Sequence, residues 1–122
     1  MSEQQKKLGA WGEEQAARYL RRRGWRVVER NYTVRQGEVD LIAERRGVLA
    51  FVEVKLRKDD AFAEAREFVT PAKQRRILTA AQLYLAAHES EAQPRFDVIE
   101  IYAPAGETTR FPKITHIENA FM

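Results

Sequence analysis

Two residues of opposite charge close a nearly continuous apolar stretch of this 122-residue chain. They are Glu53 and Lys55, in Leu49-Ala50-Phe51-Val52-Glu53-Val54-Lys55. In an extended strand side chains alternate between faces, so both emerge on the same side. Charges at the end of a buried strand carry a desolvation cost on the order of several kcal/mol unless they are paired or metal-bound. A Glu–Lys pair at a solvated strand end is the competing reading. A second charge breaks the neighbouring apolar run: Gly37-Glu38-Val39-Asp40-Leu41-Ile42 sets Asp40 between Val39 and Leu41. Aspartate is a poor strand former, and unless Asp40 lies at a wet strand end, its position there needs a chemical reason. A hairpin linking the two runs brings Asp40 close to Glu53, and adjacent carboxylates repel unless a proton or a cation is shared between them. Two carboxylates and a strand carbonyl, here that of Val54, suit a hard divalent ion such as magnesium.

Two helical segments add candidates. Glu13 shares a helix face with Ala16, Ala17 and Leu20 and so flanks a buried stripe; an acid in a first turn also simply complements the helix dipole. Its neighbour Glu14 is expected to face solvent. Gln74 follows helical spacing with Thr70, Ile77, Ala81 and Tyr84, where a polar group can reach an adjoining site. Lys73, Arg75 and Arg76 surround it with donors that suit phosphate or a solvated helix face.

These residues require an α/β frame. Leu8 to Arg23 has helical periodicity and ends at Gly24, with basic residues in its last turn. Trp25 to Tyr32 is a candidate strand. Val39 to Ala43 and Val48 to Val54, joined by Arg45-Arg46-Gly47, read as a hairpin. Both are apolar on two faces, so they are expected at the centre of a sheet covered on both sides. Thr70-Pro71 is a helix start, with a capping hydroxyl and proline at the first position, and the helix runs to about Ala87. Arg95 to Tyr102 is a strand, and Ile114 to Ile117 a short last one. The charged segment from Leu56 to Val69 has no clean period and is expected to be the least ordered internal region. The order α-β-β-β-α-β(-β) implies a mixed central sheet flanked by helices, in one domain spanning 1–122.

Composition narrows the class. A hydrophobic fraction of 44% and a charged fraction of 32% with net charge +3 describe a globular chain with both signs mixed. The slight excess of base leans toward polyanionic partners. There is no cysteine, hence no disulfide and no thiolate zinc site; the two histidines, His88 and His116, stand in unlike contexts. The polar N-terminus is not a secretory signal and no apolar run is long enough to span a bilayer, so a soluble cytoplasmic protein without membrane contact is expected.

Taken in order, Gly9-x-x-x-Glu13, Gly37-Glu38-Val39-Asp40, Glu53-Val54-Lys55 and the Lys73-Gln74-Arg75-Arg76 helix resemble the PD-(D/E)XK nuclease superfamily, especially the archaeal Holliday junction resolvases. Over nearly its full length the chain is similar to the YraN family of small bacterial proteins, of which Phe51-Val52-Glu53-Val54-Lys55 and Arg95-Phe96-Asp97-Val98-Ile99 are characteristic. The resemblance implies a restriction-endonuclease-like core and a catalytic set of Glu13, Asp40, Glu53, Lys55 and Gln74. Asp40, Glu53 and the Val54 carbonyl would hold Mg2+ or Mn2+, with Glu13 completing a second metal site or acting outside it. Lys55 would orient water or stabilise transition-state charge, and Gln74 would steady water or phosphate. Arg35, Arg57, Lys58, Lys73, Arg75 and Arg76 are candidates for contacts to a nucleic-acid backbone, with DNA the first expectation. Trp11 and Trp25 could stack on bases or pack in the core. Related resolvases work as homodimers, which implies a dimer as one option here. A binding module without catalysis and a protein-interaction subunit are the alternative classes.

Overall fold

The computed structural model describes residues 2–58 and 69–121. Helix α1 spans Glu3–Arg22, β1 Arg26–Val34, β2 Gly37–Arg45, β3 Val48–Arg57, α2 Pro71–His88, β4 Gln93–Tyr102 and β5 Lys113–Ile117. The expected element order and mixed α/β class are both present. Helix α1 begins five residues earlier than the apolar periodicity indicates. Ser2 accepts a hydrogen bond from the Gln5 amide while the Gln5 side chain accepts from the Ser2 N–H. This reciprocal capping satisfies two amides that a helix start otherwise leaves open. At the other end Gly24 adopts φ 87°, and the amides of Gly24 and Trp25 bond back to Arg21 and Leu20, closing the helix as a Schellman motif.

The sheet runs β1-β2-β3-β4-β5. The pairs β1–β2, β2–β3 and β4–β5 are antiparallel, and β3–β4 is parallel with α2 as the crossover. The β2–β3 hairpin turns on Arg46 and Gly47, both at positive φ, the two-residue geometry that matches strand twist. Buried side chains form two layers. Val39, Ile42, Phe51 and Val98 pack with Ile77, Ala81 and Tyr84 of α2; Leu41, Ala43, Val52, Ile99 and Ile101 pack with Ala16, Ala17 and Leu20 of α1. Strands β2 and β3 are therefore covered on both faces, as their sequences indicate. Trp25 is 4% exposed and in the core, and Trp11 packs against the α1 layer; base stacking is not a role for Trp25. Among the described residues no helix is long and apolar enough to cross a membrane.

The segment expected to be loose is bounded by order on both sides. Leu56 and Arg57 extend β3, and Val69 is 1% exposed in the α2 layer. Residues 59–68, on which most of that expectation falls, lie outside the described residues.

Candidate functional site

Asp40 occupies a break in strand alternation. Val39 packs in the α2 layer and Leu41 in the α1 layer, although residues two apart in a regular strand share one face. Between the β1–β2 pairs Arg30↔Leu41 and Tyr32↔Val39 lies Asn31, at φ 50°, a left-handed conformation that asparagine tolerates better than most residues. The β2–β3 ladder begins at Leu41↔Val52. Beyond it the strands part, and the Val54 amide donates to Asp40 Oδ2 at 2.8 Å instead. An aspartate is accepted here because its carboxylate replaces a missing ladder partner. Strand geometry directs the Val54 carbonyl to the same edge as its amide.

Continuing that register by one sets Asp40 opposite Glu53. Glu53 is 8% exposed. Burial, then the charge of Glu53, pushes the Asp40 carboxyl up to about 8, against the lowering effect of the Val54 amide. Asp40 therefore gives up its proton less readily than an ordinary carboxyl. Glu13 approaches the group from α1; burial raises its carboxyl above the ordinary range, with the charges of Glu38 and Glu53 adding to this and Asn31 and Arg30 opposing it. Glu14 is turned away, bonded to Arg30 at 2.9 Å and Arg18 at 3.2 Å. Lys55 is half-buried on the Glu53 side of β3.

The first turn of α2 closes the site. Thr70 caps the helix by accepting from the Lys73 amide at 3.2 Å, and the Lys73 ammonium is ion-paired with Glu53. Glu38, Glu53, Thr70, Ala72, Lys73, Arg76 and Ile77 line a cavity of about 440 Å³. Gly37 makes this closure possible: a Cβ there would stand 2.3 Å from the Arg76 carbonyl oxygen, so only glycine lets the β1–β2 turn meet the α2 backbone so closely.

The remaining candidates are dispersed. Gln74 does not line the cavity; its amide donates to the Val69 carbonyl at 2.9 Å and ties the start of α2 to the preceding residues. Arg75 and Arg76 are exposed, and Arg76 alone of the two lines the cavity. Arg35 is exposed at the β1–β2 turn. Arg57 pairs with Glu100 at 3.2 Å. Lys58 lines a different depression, with Gln4, Leu8 and residues 104–108. Two acids were not singled out by sequence. Glu100 stands opposite Lys55 in the β3–β4 register. Asp97, wholly buried, accepts from Arg95 at 2.9 and 2.8 Å and from the Asn119 amide at 3.0 Å, and lies 2.7 Å from His116 Nε2. Burial works to raise Asp97, yet His116, Arg95 and Asn119 together hold it below the ordinary range. The signal for both was the one that exposed Asp40, an acid inside an apolar strand.

Among the described residues no three acidic, histidine or cysteine side chains are set to share a metal ion. The donor set is narrower than the resemblance implied: the Asp40–Glu53 pair and the Val54 carbonyl. Chemically two carboxyl groups and a carbonyl oxygen fit a hard divalent cation that keeps several waters.

Fold and site together define a small α/β protein with two adjacent carboxylates, Asp40 and the buried Glu53, beside a cavity lined by both acidic and basic side chains. Residues 12–101 match the model described as "Uncharacterised protein family UPF0102", and the chain belongs to that family, the YraN family of the sequence comparison. It is similar to a UPF0102 protein of Syntrophomonas wolfei, 43% identical over 122 residues, which cover 95% of this chain and 98% of that one. It is 48% identical to one from Symbiobacterium thermophilum over 97 residues, 79% of this chain and 82% of that one. A relative from Flavobacterium psychrophilum is 34% identical over 114 residues, covering 93% and 92%.

Proposed function

We propose that this protein is a metal-dependent nuclease that hydrolyses phosphodiester bonds in nucleic acid, with branched or structured DNA the first substrate class to try. The observation that carries the reading is the juxtaposition of Asp40, held by the Val54 amide where β2 and β3 part, with the buried Glu53, which borders a cavity also lined by Lys73 and Arg76. Held by Asp40, Glu53 and the Val54 carbonyl, Mg2+ or Mn2+ would supply Lewis-acid polarisation of a phosphoryl oxygen and a water of lowered pKa. Asp40 takes its orientation from the Val54 amide, which also favours its charged form. Lys55, on the Glu53 side of β3, suits stabilisation of charge that builds on the phosphoryl oxygens. Glu13 acts from outside the donor pair by adding negative potential. Arg75, Arg76 and Arg35 offer sequence-independent contacts to the phosphate backbone.

The pairing of Glu53 with Lys73 favours a second reading, a nucleic-acid-binding module in which this ion pair is permanent. A cleavage panel separates the two. Branched, duplex and single-stranded substrates are incubated with Mg2+ and with Mn2+, beside an Asp40→Ala control. Metal-dependent cutting of one class, lost in the control, supports the nuclease; binding without cutting in either metal supports the module.

A further inference from the structure

Lys73 sits where helix electrostatics oppose it. It is the third residue of α2, after the Thr70 cap and Pro71, and a helix N-terminus carries partial positive charge that repels a cation. The first turn holds no acid to offset this. What holds the ammonium there is Glu53, from a different element. The two partners are unequally free: the Glu53 side chain is 9% exposed and fixed in the sheet, whereas that of Lys73 is 41% exposed and borders a cavity of about 440 Å³.

We infer that Lys73 is a resident counter-cation for the carboxylate pair. It neutralises Glu53 in the resting protein and exchanges to substrate phosphate when Glu53 is committed to a divalent cation. This rests on the metal-dependent nuclease reading above. One surface then serves both states. In the resting state Lys73 balances the charge of the buried Glu53. Displaced, the ammonium stays on the cavity wall beside Arg76, at the positive end of α2, a setting that favours an anion. Lys73 would thus couple metal and nucleic acid: each favours the state the other needs, so the two bind with mutual reinforcement.

The test compares wild type with Lys73→Gln and Arg76→Gln. The last removes the same charge from the same cavity without touching the Glu53 pair. Mg2+ alone is titrated by calorimetry into each. An ion pair with one exposed partner is taken at about 1 kcal/mol, so Lys73→Gln is expected to bind Mg2+ roughly fivefold more tightly than wild type, and Arg76→Gln much less so. Each protein is then titrated into a labelled, phosphorothioate-linked oligonucleotide with and without Mg2+. Mg2+ should strengthen binding by wild type clearly more than by Lys73→Gln. Equal Mg2+ affinities for Lys73→Gln and Arg76→Gln, or equal strengthening of oligonucleotide binding in wild type and Lys73→Gln, would overturn the exchange while leaving the nuclease reading standing. No Mg2+ binding by any of the three would overturn both.

Discussion

Asp40→Asn should make the protein more stable at alkaline pH. The folded protein keeps the Asp40 carboxyl protonated up to about 8, against an ordinary value of 3.8. Across that window the folded chain holds a proton that the unfolded chain releases. Asp40 therefore favours folding most below 3.8, and its contribution falls as pH rises toward about 8, by roughly 1.4 kcal/mol per pH unit. Asparagine imitates the protonated acid. Its carbonyl can accept from the Val54 amide and its amide can donate to Glu53, but it has no proton to lose. The stability gap between variant and wild type should consequently widen with pH. From about pH 5 to about pH 8, three units at roughly 1.4 kcal/mol each set a ceiling of roughly 4 kcal/mol. The assay is urea unfolding of both proteins at several pH values in chelator-treated buffer, with the slopes on denaturant checked for equality. A gap that stays constant within about 0.5 kcal/mol would refute the claim that burial beside Glu53 raises the Asp40 carboxyl.

Three further outcomes are expected. Asp97→Ala leaves Arg95 without its buried partner and should cost roughly 3–5 kcal/mol, read by the same unfolding assay. Asp97 is held below its ordinary range, so wild type should lose stability as pH falls through its folded pKa, the opposite slope to that from Asp40. Gly37→Ala introduces a Cβ 2.3 Å from the Arg76 carbonyl oxygen; forcing α2 away should cost roughly 1–3 kcal/mol and shift the amide resonances of residues 70–76. Replacing Arg75 and Arg76 together with Gln should weaken nucleic-acid binding alike for all sequences and lower the dependence of log K on log salt by about two contacts' worth, measured by anisotropy titration.

The legible parts of the sequence were those where a local pattern has one physical meaning. Strands β2 and β3 announced themselves as apolar runs too dense for one-sided burial, and Thr70-Pro71 marked the start of α2 because a hydroxyl followed by proline caps a helix. The start of α1 escaped notice because Ser2 and Gln5 cap a turn with no apolar residue in it. Asp40 was legible as an anomaly, yet its partner was not: the Val54 amide that its carboxylate accepts from lies on the next strand, where the β2–β3 ladder has ended. Helical spacing set Gln74 near the start of α2, but could not reveal that its amide is spent on the Val69 carbonyl. The contact of Lys73 with Glu53 joins residues twenty apart in sequence on different elements, and only the packing of α2 against the sheet, through Gly37, brings them together.

Single-turnover cleavage of the best substrate from the panel, wild type against Asp40→Asn in Mg2+ and in Mn2+, tests the central claim most directly. The variant is expected to be at least as stable as wild type, so a loss of cutting cannot be assigned to unfolding. The account predicts metal-dependent cleavage by wild type and a fall of at least about a hundredfold in the variant, with nucleic-acid binding retained. Equal metal-dependent rates in the two proteins would contradict it.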